Sequence, residues 1–212
     1  DTPDATARSI TFKVTDNDGT DSTVLTESVA VNVINDKPIV DMNGAATGLN
    51  NAVSFTEVDG ADDASAKVAL VASGTNLTDV DSANLSKLEI TIPTTGTGGV
   101  KTGDQLIITQ SGSDKVINLD FTNAVSDPAT HMVAFGGTTF SALLSVSSGN
   151  QVVTFQPSND PGSGQALIAT STGATKAAFE ALLDAINYNS SVNGDVSNAG
   201  RSLTIDVFDT AN

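Results

Sequence analysis

Arg8-Ser-Ile-Thr-Phe-Lys-Val-Thr-Asp16 sets polar and apolar residues in alternation. The same pattern returns 193 residues later (201 − 8) as Arg201-Ser-Leu-Thr-Ile-Asp-Val-Phe-Asp209. Five of the nine positions are identical, and Ile/Leu and Phe/Ile are conservative changes. A period of two places apolar side chains on one face of an extended strand. Its recurrence at long range reads as a tandem repeat of roughly 190 residues. On that reading the chain starts near the end of one repeat and stops near the end of the next.

The same alternation runs outward from these two stretches. Further strands are expected at Glu27–Ile34, Ala52–Thr56, Lys67–Ala72, Leu85–Ile92, Asp104–Thr109, Lys115–Phe121 and Gln151–Phe155, besides Ser9–Thr15 and Arg201–Val207. They are short, rich in Val, Ile and Thr, and separated by Gly, Asn, Asp and Ser. This pattern predicts an all-β antiparallel sandwich with one face of each strand buried. One segment departs from it. Phe179, Leu182, Leu183 and Ile186 stand at i, i+3, i+4 and i+7 in an Ala-rich stretch. The spacing predicts one short amphipathic helix over 175–187, covering an end or edge of the sandwich.

Composition narrows the function. The 212 residues carry 9 Lys and Arg against 25 Asp and Glu, a net charge of −16 (9 − 25). Nine scattered cations cannot build a nucleic-acid face, and no apolar run has the length of a membrane span. The absence of Cys excludes a disulfide scaffold and thiol-ligated zinc. Of the 25 acids only 4 are Glu and 21 are Asp, which puts carboxylate oxygens on short stems, suited to turns and to hard cations. No signal peptide begins at Asp1, so the sequence is expected to be an excised piece or a mature fragment.

A boundary is expected at Asn35-Asp36-Lys37-Pro38. Pro38 cannot donate to a ladder and holds Lys37 extended. Residues 1–38 would be the last two strands and linker of an upstream repeat. Residues 39–212 would be a sandwich repeat lacking its final strand. The hairpin of residues 1–34 would then dock on a neighbouring copy, head to tail, or be poorly ordered.

Four stretches resemble the bacterial cadherin-like, Ig-like repeats of large calcium-dependent RTX-type surface adhesins. Val33-Ile-Asn-Asp-Lys-Pro38 is similar to the family's Asn-Asp-x-Pro interdomain linker. Ser54-Phe-Thr-Glu57 is similar to the end of its first strand, and Leu77-Thr-Asp-Val-Asp-Ser-Ala-Asn-Leu85 to its Asp-x-Asp loop. Phe179–Asn189 with Arg201-Ser-Leu-Thr-Ile is similar to its helix, Tyr-Asn, Arg and strand segment. Lys37 stands where the family linker carries a further Asn or Asp. The resemblance implies an extracellular, bacterial-surface extender module, a role in adhesion and biofilm, and Ca2+ at the linker.

With up-and-down strands, the linker, the loop holding Asp79 and Asp81, and the strand end at Asp209 all reach one end of residues 39–212. Asn35, Asp36, Asp79, Asp81 and Asp209 are therefore the expected calcium ligands, since clustered carboxylates repel until a cation joins them. Asp16 matches Asp209 by the repeat offset, so Asp16, with Asp18, is a candidate for an upstream site. Asp16-Asn17-Asp18-Gly19 resembles the start of an EF-hand loop and Glu27 falls at position twelve. Thr20 and Asp21 break that loop, and a hairpin turn is the expected structure. Glu57 is a candidate for the opposite end. Asp59, Asp62 and Asp63 read as a solvated loop.

Catalysis has little support. His131, the single histidine, has no Ser or Asp motif around it, so no enzyme is expected. Gly96-Thr-Gly-Gly99 and Gly136-Gly137 read as turn glycines. Tyr188 and Arg201 are expected to tie the helix end to the following strand. The alternative to an extender is a ligand-binding sandwich of the same kind of adhesin, taking a glycan or peptide through residues 96–161.

Overall fold

Alternation in the first residues is realised as a two-stranded antiparallel sheet, β1 (Arg8–Phe12) against β2 (Leu25–Val29). The computed structural model describes residues 4–56, 66–119, 132–158, 173–191 and 199–210. Contacts divide the chain into two units, Asp1–Asp36 and Lys37–Asn212. In the first unit the register pairs Ile10 with Glu27, Phe12 with Leu25 and Arg8 with Val29. Paired residues share a face. One face thus carries Ile10, Phe12, Leu25 and Val29 together with the charged Arg8 and Glu27, and the other carries Ser9, Thr11, Thr26 and Ser28.

The second unit is built from β3 (Ile39–Asp41), β4 (Val68–Ala69), β5 (Asn76–Thr78), β6 (Asn84–Pro93), β7 (Asp104–Ile108), β8 (Lys115–Asn118), β9 (Met132–Phe135), β10 (Thr138–Ser147), β11 (Asn150–Pro157), β12 (Ala174–Thr175), the helix α1 (Lys176–Ala185), β13 (Ile186–Ser190) and β14 (Thr204–Asp209). One sheet runs β12-β6-β11-β10-β9, with β14 also on β6. Leu85 pairs both Ala174 and Asp209, so β12 and β14 lie on opposite edges of β6. The second sheet runs β4-β13-β7-β8, and β3 pairs β5. All of these pairings are antiparallel.

Both sheets close on one core. Leu85, Leu88, Ile90 and Ile92 of β6 meet Phe140, Ala142 and Leu144 of β10, Val153 and Phe155 of β11, and Leu106 and Ile108 of β7. The helix adds Phe179, Leu182 and Leu183, all fully buried, and Phe179 meets Phe140 edge to face at 4.9 Å. The unit is therefore an antiparallel β-sandwich with one short helix, as the residue pattern predicts. Among the described residues no helix is long and apolar enough to cross a membrane.

Several elements differ from expectation. The helix ends at Ala185, and Ile186 N–H closes the last turn on Leu183 O before β13 begins. Ile186 is buried, but as the first residue of a strand. Asn-Tyr-Asn is weak helix sequence, and the free edge of β7 offers a ladder instead. Ala52–Thr56 forms no strand: Asn51 Nδ2 donates to Leu70 O at 2.9 Å, and Phe55 packs edge-on against Tyr188. Side chains, not a ladder, fasten this segment. Strand β4 is two residues long because the chain changes partners, Leu70 N–H donating to Ile186 O and Ala72 N–H to Met42 O. Strand β10 is ten residues long, where the residue pattern predicts no strand. It turns into β11 through Ser148-Gly149, where both φ are positive (51° and 78°), the geometry that two-residue hairpins require.

Candidate functional site

Register brings four segments to one end of the second unit. Ile39, the first residue of β3, pairs Thr78, the last residue of β5. The next residues, Asp79–Ser82, lead into β6. At the start of β6, Asn84 pairs Thr175, and Leu85 pairs Asp209. Thr175 caps α1, its hydroxyl accepting from Ala178 N–H. The beginning of the unit, the Asp79 loop, the helix start and the end of β14 therefore share one end.

Asp79 organises its loop. Its Oδ1 accepts from Asp81 N–H at 3.2 Å and Ser82 N–H at 3.0 Å, while Oδ2 is buried with no hydrogen-bond partner. Asp81 is half-buried and Asp209 is fully buried. Lys176 Nζ donates to Asp79 O at 2.8 Å and Ser82 O at 2.9 Å. A cation thus already sits against the loop's carbonyl oxygens. Lys176 was not foreseen. A lysine on the first turn of a helix opposes the macrodipole, and that mismatch was the available signal that its charge is needed elsewhere. Glu180 of the same helix accepts from Leu77 N–H at 2.8 Å and ties α1 to β5.

These donors suit calcium in kind, being hard oxygens on short stems. Asp79 Oδ2 in particular is a buried anionic oxygen without a donor, an arrangement that a bound cation relieves. In number they fall short. Asp79 and Asp81 share a loop and Asp209 shares their end. Yet among the described residues no group of three or more His, Cys, Asp or Glu is gathered closely enough to hold a metal ion. Asn35 and Asp36 belong to the first unit, where Asn35 Nδ2 donates to Asp36 O at 3.3 Å. Asp16 and Asp18 form a turn: Asp16 Oδ1 accepts from Asp18 N–H and Thr20 N–H, both at 2.9 Å. Glu57, Asp59, Asp62, Asp63 and His131 lie outside the described residues.

A second polar centre lies within the fold. Asp104, 1% exposed, opens β7. Its carboxylate accepts from Arg201 Nε at 2.5 Å and Nη2 at 2.9 Å, from Tyr188 Oη at 2.6 Å and from Lys101 N–H at 2.8 Å. Tyr188 and Arg201 therefore meet on Asp104, where the residue pattern expected a tie between helix end and strand. The reason is that β13 lies between β4 and β7, so Tyr188 faces the start of β7. Burial, then the hydrogen bond to Asp104, pushes the Tyr188 hydroxyl above its ordinary value of 10.0. The bond to Asp104 likewise raises Arg201. Beside this cluster is a cavity of about 370 Å³, lined by Val53, Phe55, Val68, Leu70, Leu203 and Arg201 among others. None of its lining residues falls within 96–161.

Tyr188 is the single tyrosine and the chain has no tryptophan, so its ionisation can be followed by phenolate absorbance. In the native protein the midpoint is expected well above that of the urea-unfolded chain. Raised in the folded state, the group stabilises the fold fully below pH 10 and loses that contribution as pH climbs toward the folded value. Coincident native and unfolded titrations would contradict the buried hydrogen bond.

No protein-family model, curated protein or solved structure matches this chain.

Proposed function

We propose that this chain is a structural, calcium-binding extender repeat of a large bacterial cell-surface adhesin. The ligands proposed are Asp79, Asp81 and Asp209 at one end of the second unit, while Asn35 and Asp36 are proposed as linker ligands on the resemblance alone. Bound there, the ion removes the hinge freedom of the extended linker and keeps successive repeats in line. Each repeat then touches only its neighbours, head to tail. Extracellular calcium is abundant enough for millimolar-range sites to fill.

The observation that carries this reading is the Asp79 carboxylate: one oxygen is fixed by two backbone N–H groups and the other is buried without a hydrogen-bond partner. It stands at the end where the second unit begins. The internal repeat and the four stretches that resemble RTX-type adhesin repeats support the extender role.

Thermal melting with calcium and then with chelator is the test. A site that binds only the folded state contributes about 2.7 kcal/mol at one hundred times its Kd, so a rise of several degrees in Tm is expected. Asp79→Asn should abolish the rise while leaving the chelated Tm nearly unchanged. An unchanged Tm in the wild-type protein would rule the site out. The alternative, a glycan- or peptide-binding module acting through residues 96–161, draws no support from the cavity beside Arg201, whose lining lies outside that stretch, and would show ligand binding that chelator leaves intact.

A further inference from the structure

We propose that Lys176 is a built-in competitor for calcium, holding the Asp79–Ser82 loop in shape while the metal is absent and setting the calcium level at which the site fills. This regulation rests on the calcium reading above. Lys176 is the first residue of α1, where the helix dipole disfavours a positive charge. Its ammonium nevertheless spans 97 and 94 residues of sequence to reach Asp79 O at 2.8 Å and Ser82 O at 2.9 Å. Both partners are backbone carbonyls. Among the described residues no ion pair joins Lys176 to Asp79 or Asp81.

Backbone carbonyls and carboxylates are the oxygens that calcium takes. The loop presents both kinds. Two carbonyls are held by the ammonium, and Asp79 Oδ2 is buried with no hydrogen-bond partner. Asp79 O and Asp79 Oδ2 belong to one residue, so an ammonium on the first and a cation on the second lie within about a Debye length of each other. Like charges at that range repel. Lys176 therefore opposes calcium twice, by its charge and by occupying carbonyl oxygens that the metal would use.

In the metal-free protein the same ammonium acts the other way. It offsets the charge of the loop, satisfies two carbonyls, and steadies the turn in which Asp81 N–H and Ser82 N–H donate to Asp79 Oδ1. One side chain thus stabilises the empty loop and raises the calcium concentration needed to fill it. Methionine keeps the straight apolar stem and forms helix well. Glu180 still ties α1 to β5 through Leu77 N–H, so Lys176→Met tests the charge without dislodging the helix.

The full chain, freed of metal with chelator, is titrated with calcium chloride by calorimetry at fixed ionic strength. Lys176→Met should bind at least about fivefold more tightly than wild type. Lys176→Arg keeps the charge and should stay within about threefold of wild type. In chelator, Lys176→Met should melt lower and exchange the Asp81 and Ser82 amide hydrogens faster. Equal or weaker binding by Lys176→Met, with wild-type binding intact, would overturn this inference and leave the extender reading standing. Binding by Lys176→Met alone would support the competitor role and overturn the extender reading. Binding by neither protein would overturn both. Amide exchange in chelator that ignores the loss of the ammonium would also overturn the inference, whatever the titration shows.

Discussion

Replacing Asp104 by Ala is expected to lower the free energy of unfolding by about 3–5 kcal/mol, the cost of breaking a buried ion pair from one side. The loss is large because of what remains. The Arg201 side chain is 10% exposed, and without Asp104 its charge sits in the protein without its carboxylate. Tyr188 Oη loses its acceptor at the same time, as does the N–H of Lys101. These partners are 84 and 97 residues from Asp104 in sequence, so the cluster joins β7 to β13 and to the segment leading into β14. With a total stability of about 5–15 kcal/mol usual for a domain, such a variant approaches unfolding at physiological temperature. Urea denaturation measures it directly. Removing both charges, in Asp104→Ala with Arg201→Met, should cost less than the sum of the two single changes, because no lone charge remains. Simple additivity, or a loss under about 1 kcal/mol for Asp104→Ala, would show that the pair is solvated in solution.

The strands were legible where alternation was clean. Leu88, Ile90 and Ile92 are separated by Glu89 and Thr91, and β6 formed as the pattern required. In β10 the alternation of Phe140, Ala142 and Leu144 is interrupted by Leu143, and Ala-Leu-Leu reads equally well as helix. Partner strands β9 and β11 decide the matter, and they are tertiary information. The helix was visible through Phe179, Leu182 and Leu183, but its end was not. Ile186 suits the apolar stripe as well as it suits the strand that claims it. The end of the sandwich at which Asp79, Asp81 and Asp209 lie followed from up-and-down topology alone. The Asp104 cluster did not, because nothing local sets Asp104 apart from the other 20 aspartates. Its character comes from Arg201 and Tyr188, which only the fold delivers. Lys176 was hidden for the same reason: its partners are two carbonyl oxygens about a hundred residues earlier, and carbonyls have no sequence signature.

Among the described glycines compared for the space around a Cβ, Gly173→Ala should be the most damaging substitution, at about 3–4 kcal/mol. Gly173 has φ +63°, and a Cβ there would lie 2.3 Å from Leu85 O and 2.6 Å from Thr210 Cγ2. The left-handed conformation alone costs an alanine about 1–2 kcal/mol, and forcing atoms apart in a packed region adds about 1–3 kcal/mol. The obstructing oxygen cannot withdraw. Leu85 is held between Ala174 on one side and Asp209 on the other. Gly149 supplies the control, with φ +78° but nothing within 4 Å of a Cβ, so Gly149→Ala should carry only the conformational cost of about 1–2 kcal/mol. Urea midpoints at constant m-value compare the two, and equal losses would mean that the Gly173 contact yields freely. The two variants should also separate in their response to calcium. Leu85 follows Asp81 by four residues and pairs Asp209, so any shift that admits a methyl group at Gly173 displaces the backbone that positions both acids. On the proposed calcium reading, Gly173→Ala is therefore expected to lose the calcium-dependent rise in Tm as well as stability. Gly149→Ala, in a turn at Ser148-Gly149, should lower both melting curves and keep the gap between them.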